Sequence, residues 1–361
     1  MSSNALTVEY PIVSLGELRV VPTSNPKATR RASECLAVRG ETFLTTPRFW
    51  RSLFHRFGIS GNIFRYFDHD EVFTRVVQRS PDDRLRLCAE RRGKGHPRLM
   101  AVSHPNRPLL DYDQAVSLLG RYHEGPVRQA HDRASRDDRP AYHDGIVSST
   151  HTPRSGQAGS DIGPDRFHNR FVVEAPIDGF GQPRIFLSLL RQICSNGAIG
   201  YARAFRSDIR IGEDAAYTLE RALGQFDHEE GFAALRQRFQ SAQKSWASLH
   251  EALQLHRVLA RLGISGGPYQ KELDRLCGDL HALYGLANLE SLSVKRQRML
   301  PARCRVYDLL NFASEIATHR ASAESRPRLQ AYIGTLVSDE YDLEGTAEKV
   351  PEFRDLFLNL N

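Results

Sequence analysis

The strongest constraint on this chain is an apolar seam in its C-terminal third. Phe232, Leu235, Phe239, Ala242, Trp246, Leu249 and Leu253 step by three and four residues in turn, and His256 takes the next position. That alternation is the heptad seam along which one helix packs on another. A break at Gly263, Gly266, Gly267 and Pro268 follows. A second seam then runs through Tyr269, Leu273, Leu276, Leu280, Leu283 and Ala287. A glycine-rich turn ending in proline, between two such segments, predicts an antiparallel helical hairpin over 229–290. Its first arm of about 30 residues would form a rod of roughly 45 Å. Such a hairpin either packs on its own domain or joins subunits as a coiled coil, which implies a homo-oligomer. His256 reads as a tolerated core or edge residue rather than a ligand.

Upstream the pattern is mixed, and the expected fold class is α+β: an antiparallel, hairpin-containing sheet core with helices. Residues 1–40 form a polar N-terminal segment with one β-prone run, Leu18 to Val21. Residues 41–215 form the core, and 216–361 the helical region. Thr46 and Pro47 open a helix whose apolar face is Phe49, Trp50, Leu53, Phe54 and Phe57. Asp68 to Glu71 resembles a carboxylate pair, but an N-cap with glutamate three residues on is a capping box. Asp111 to Gln114 has the same explanation. Leu85, Leu87 and Ala89 alternate with polar residues, and a Gly93-Lys94-Gly95 turn leads to Arg98–Val102, predicting a hairpin. Residues 123–168 are rich in Gly, Pro, Ser, Asp and Arg and read as a flexible polar loop. Arg170 to Glu174 reads as a strand and Asp178 to Gly181 as a turn. Pro183 to Ile193 fits a helix or a buried strand equally. Tyr201 to Ile211 alternates as a strand, with Arg206, Asp208 and Arg210 on one face.

Composition narrows the chemistry. The formal charge is +6, and 43 of the 49 basic residues are arginine. The five cysteines, Cys35, Cys88, Cys194, Cys277 and Cys304, are widely spaced and contain no C-x-x-C. That favours a reducing cytoplasm over a disulfide framework. No apolar run of about 18 residues and no secretory signal is visible. No Walker loop, dinucleotide fingerprint, nucleophile elbow or zincin helix occurs, so no catalytic residue, metal or cofactor is assigned. The scattered His123, His131, His143 and His151 do not form a ligand set. Cys194 and Asn196 remain the only candidates for an enzymatic centre, and a buried cysteine beside an Asn-Gly turn explains them without one. A non-enzyme is the expectation.

Phe171, Val173, Glu174 and Gly179, followed by Arg191, Cys194, Ser195, Asn196 and Gly197, resemble a signature of the phage/plasmid-like family called domain of unknown function 932. There, a "gF-v-nsevG-gs" stretch leads to "R-x-x-C-[ST]-N-G". Tyr307 to Glu315 resembles the same family's closing helix. The chain differs in having Glu174-Ala175-Pro176 where Asn-Ser-Glu is usual. The resemblance implies a setting of DNA replication, recombination or defence. It therefore implies a nucleic-acid-binding protein, one that binds or anneals single-stranded DNA. The residues expected to do this are Arg184, Arg191, Arg203, Arg206 and Arg210 for phosphates, with Tyr201 and Phe205 for stacking. Phe180 and Phe186 lie nearby. The other reading is a non-enzymatic interaction protein, oligomeric through its helical hairpin.

Overall fold

The computed structural model describes residues 6–21, 35–93, 96–122, 140–153, 159–162, 165–191, 197–199, 206–262, 293, 296, 299–300, 305–319, 321 and 325–337. Within them the architecture is α+β, with two sheets and eight helices.

The first sheet grows around the expected hairpin, β6 (Arg84–Arg92) and β7 (Arg98–Ser103). The N-terminal segment supplies β1 (Leu6–Glu9), β2 (Ile12–Ser14), β3 (Leu18–Val20) and β4 (Cys35–Val38), and β5 (Glu41–Thr45) follows. The order is β1-β6-β7-β5-β4-β3, with β2 also on β6. The sheet is mixed, because β5 runs parallel to β7. Helix α1 (Pro47–Arg56) begins as its sequence predicts, with Thr46 accepting the Phe49 N–H. It buries Phe49, Trp50, Leu53 and Phe54 with α2 (His69–Arg79) against Leu36, Leu85, Leu87 and Leu99. Each such side chain contributes about 1.5–3 kcal/mol on burial.

Asp68 precedes α2, but its side chain makes no capping hydrogen bond. The expected capping box is therefore absent. The following His69 is held instead by stacking, its ring 3.9 Å from that of Phe64 and inclined by 3°. Burial lowers the His69 pKa, against the opposing pull of Asp70 and Asp68. A histidine whose pKa is lower folded than unfolded takes up protons more readily on unfolding. Stability should therefore fall as pH drops through about 6.5 towards the folded value. His69→Phe should flatten that dependence in urea titrations run at a series of pH values.

The second sheet is antiparallel. It comprises β8 (Ala141–His143), β9 (Ile146–His151), β10 (Gly159–Ile162), β11 (Asp165–Pro176), β12 (Arg184–Arg191), β13 (Gly197–Ile199) and β14 (Arg206–Asp208). The order is β13-β12-β11-β9-β8, with β10 also on β11 and β14 also on β12. The stretch expected to be loop over 123–168 thus contains three strands and the start of a fourth. Asp144 and Gly145 both have positive φ, +45° and +80°. They form the tight turn between β8 and β9, which Asp-Gly favours. The ambiguous run from Pro183 is strand, not helix. Of the predicted 201–211 strand, only Arg206–Asp208 is observed as strand. Residues 201–205 lie outside the described residues.

Helix α3 (Tyr112–Tyr122) opens with reciprocal capping between Asp111 and Gln114, as expected. It packs on β9. Further on come α4 (Ala215–Gln225), α5 (Glu229–Lys244), α6 (Leu249–Arg261), α7 (Val306–His319) and α8 (Ser325–Leu336). The predicted first arm is not one rod. It breaks at Ser245–Ser248, where Ser248 and Glu251 form a capping box that starts α6 afresh. Ser245 and Trp246 turn away to meet the start of α7, through a Trp246–Arg305 bridge and the Val306 N–H to Ser245 carbonyl bond. The seam residues Phe232, Leu235 and Phe239 are buried against Phe167, Leu187 and Leu189 of the second sheet. The second arm, over 269–287, lies outside the described residues.

Among the described residues, several contacts tie the two sheets and their helices together. The Tyr142 hydroxyl donates to Glu90, Arg98 pairs with Asp144, Arg48 pairs with Asp178, and the Tyr112 N–H donates to the Tyr10 hydroxyl.

Candidate nucleic-acid interface

The Arg48–Asp178 contact seats the turn between β11 and β12. Asp178 is fully buried. One carboxylate oxygen accepts the N–H groups of Phe180 and Gly181 at 2.9 and 3.3 Å, and the other pairs with the Arg48 guanidinium. Gly179 has φ +68°, and a Cβ there would fall 2.7 Å from the Ser103 hydroxyl oxygen. Only glycine satisfies both demands. The turn is thus fixed, and it holds Phe180 half-buried. The Phe180 ring lies 5.5 Å from the His55 ring and 5.5 Å from the Arg48 guanidinium.

Arg48, Arg51 and His55 are spaced i, i+3, i+7 and share the polar face of α1. Arg51 and His55 are exposed. Partial burial, together with the neighbouring Arg48 charge, lowers the Arg51 pKa. Among the described residues Arg51 has no ion pair.

On the other side of the turn, the Gln182 side chain accepts the Ile211 N–H at 3.0 Å and the Pro183 carbonyl accepts the Ile209 N–H at 2.8 Å. These bonds bring the 209–211 backbone alongside the turn. Exposed Arg210 lies between them and has no ion pair among the described residues. Arg184 sits opposite Asp208 in the β12–β14 register and pairs with it at 3.4 Å, while Arg206 reaches the same carboxylate at 3.1 Å. Glu174 lies across from Arg184 on β11. Arg184 and Arg206 therefore share the Asp208 carboxylate, and among the described residues the buried Arg206 Nε has no hydrogen-bond partner. Three residues separate Phe180 from Arg184, so the two lie within four steps of chain, a span of at most about 14 Å.

Of the predicted residues, the structure brings together Arg184, Arg206 and Arg210. Phe186, named as a nearby aromatic, is 2% exposed and is core, so it cannot stack on a base. Arg191 ends β12, and Gly197 begins β13. Tyr201, Arg203, Phe205, Cys194, Ser195 and Asn196 lie outside the described residues. Sequence reasoning missed Arg48, Arg51 and His55. The signal was their 3-4 spacing on a helix read only for its apolar face.

The buried groups nearby are structural. Burial, reinforced by Asp178, pushes the Cys88 thiol well up, so it is no thiolate nucleophile. Burial and Glu90 likewise raise Tyr142. Among the described residues no cluster of three His, Cys, Asp or Glu could hold a metal, and no helix is long and apolar enough to cross a membrane. His143 and His151 are apart in role: His143 lies 3.6 Å from Asp144, and buried His151 contacts Ser149.

No family model matches the chain, and searches of curated proteins and of solved structures find no match either.

Proposed function

We propose that this protein binds single-stranded nucleic acid over the polar face of α1, the 178–184 turn and the β12–β14 corner. The observation that carries this reading is Phe180. It is a half-buried aromatic on a turn fixed by Asp178, in contact with Arg48 and His55, near exposed Arg51 and Arg210, which have no ion pair among the described residues. Phosphates are attracted by guanidinium groups of any sequence context, and an unpaired base offers its face to an aromatic ring. A duplex keeps its bases stacked, so the ring favours single strands. The resemblance of 171–197 to a phage/plasmid-like family supports the same reading and points to replication, recombination or defence. No reaction is assigned.

The test is fluorescence anisotropy with a labelled single strand, a duplex and an RNA across a salt series. Log affinity should fall linearly with log salt. Arg51→Ala and Arg210→Ala should each reduce that slope by about one. Phe180→Leu should weaken binding by about 1–3 kcal/mol with the slope unchanged. No binding to any strand at about 50 mM salt overturns the reading.

A further inference from the structure

Among the seam residues whose burial is described, Trp246 is the one left exposed. In a continuous heptad its indole would be buried. Instead the helix stops at Lys244, the Ser248–Glu251 capping box restarts it, and Trp246 is left 54% exposed. The ring is nonetheless fixed. Its backbone bridges to Arg305, and the Arg305 guanidinium stacks on it, 3.7 Å from the ring centroid. That guanidinium is itself pinned, donating to the Lys244 carbonyl at 3.0 Å. An exposed, preordered indole carrying a cation departs from the burial rule that the rest of the seam obeys. Departures of this kind mark functional sites.

We infer that Trp246 is a second stacking platform, for an unpaired nucleobase, with Arg305 and the exposed Lys244 as phosphate contacts. This rests on the nucleic-acid reading above and adds a site remote in sequence from Phe180. The indole has the largest π-face among the side chains. Arg305 covers one face, and the exposure of the ring leaves room for a base. The guanidinium on one ring face, and the exposed lysine two residues before the tryptophan, suit the phosphate that accompanies that base. Fixing the ring in advance removes part of the ordering cost of binding.

Intrinsic fluorescence tests this directly, because the chain has two tryptophans and Trp50 is 4% exposed in the core. An unlabelled deoxythymidine strand of about 16 nucleotides is titrated while emission is read, with anisotropy of a labelled strand in parallel. Saturable quenching with the anisotropy midpoint is expected. Trp246→Leu should bind roughly 5- to 150-fold more weakly, and Trp246→Phe should retain most affinity. The wild-type quench needs no variant to fold. Binding by anisotropy with unchanged emission, and Trp246→Leu binding like wild type, overturns this platform and leaves the Phe180 surface standing. Emission that shifts with protein concentration alone makes the ring a contact between copies and also overturns it. Absence of any binding removes both.

Discussion

Asp178→Ala is expected to lower the unfolding free energy by about 3 kcal/mol and to abolish the Phe180 surface together with it. Three losses coincide in that substitution. The Phe180 and Gly181 N–H groups lose their acceptor, and the Arg48 guanidinium keeps its charge without a counterion. The 178–181 turn then loses its reason to hold its shape. Removing one partner of a buried pair costs about 3–5 kcal/mol, and the lower end applies because the Arg48 side chain is 21% exposed and can recover some hydration. Arg48→Met leaves Asp178 with two N–H donors, so it should cost less. Urea denaturation of the two single variants and the double variant would show the coupling, since contacting residues do not add. Gly179→Ala offers an independent check on the turn. Its methyl meets Ser103 and its φ is unfavourable, so it should destabilise without altering any charge. Additive effects of Asp178→Ala and Arg48→Met would show that the pair does not hold the turn.

Local chemistry was legible and long-range pairing was not. Thr46-Pro47 announced α1, Asp111 with Gln114 announced α3, and the alternation at Leu85–Ala89 announced the first hairpin. Each rests on neighbours within a few residues. The Asp144-Gly145 hairpin was equally local, yet the polar stretch around it hid the signal. Arg48 and Asp178 are 130 residues apart. Nothing in either segment names the other, so the seat of Phe180 emerged only with the fold. Arg206 and Arg210 were placed on one face, but their unequal worth depends on Asp208, whose register with Arg184 is a property of the sheet. The seam failed in a different way. A heptad stripe reports that a helix face will be buried but not what buries it. Here the second sheet does so for α5, and the Ser245–Ser248 break serves both helices that follow from it.

Phe239→Ala discriminates between the two uses of that seam. Phe239 is 1% exposed, and its ring lies 5.8 Å from that of Phe167 on β11. Truncating a phenylalanine packed in this way removes its transfer free energy and leaves a cavity, an expected loss of about 3–5 kcal/mol. Because α5 is packed on its own chain, the loss should appear as a lower denaturation midpoint that does not change with protein concentration. Light scattering should give the same subunit count for wild type and variant. A seam that joined subunits would behave otherwise. Association stabilises by mass action, so the wild-type midpoint would climb with concentration and Phe239→Ala would dissociate the assembly. A concentration-independent midpoint therefore assigns the α5 seam to the core, and any self-association of this protein must then use a different face.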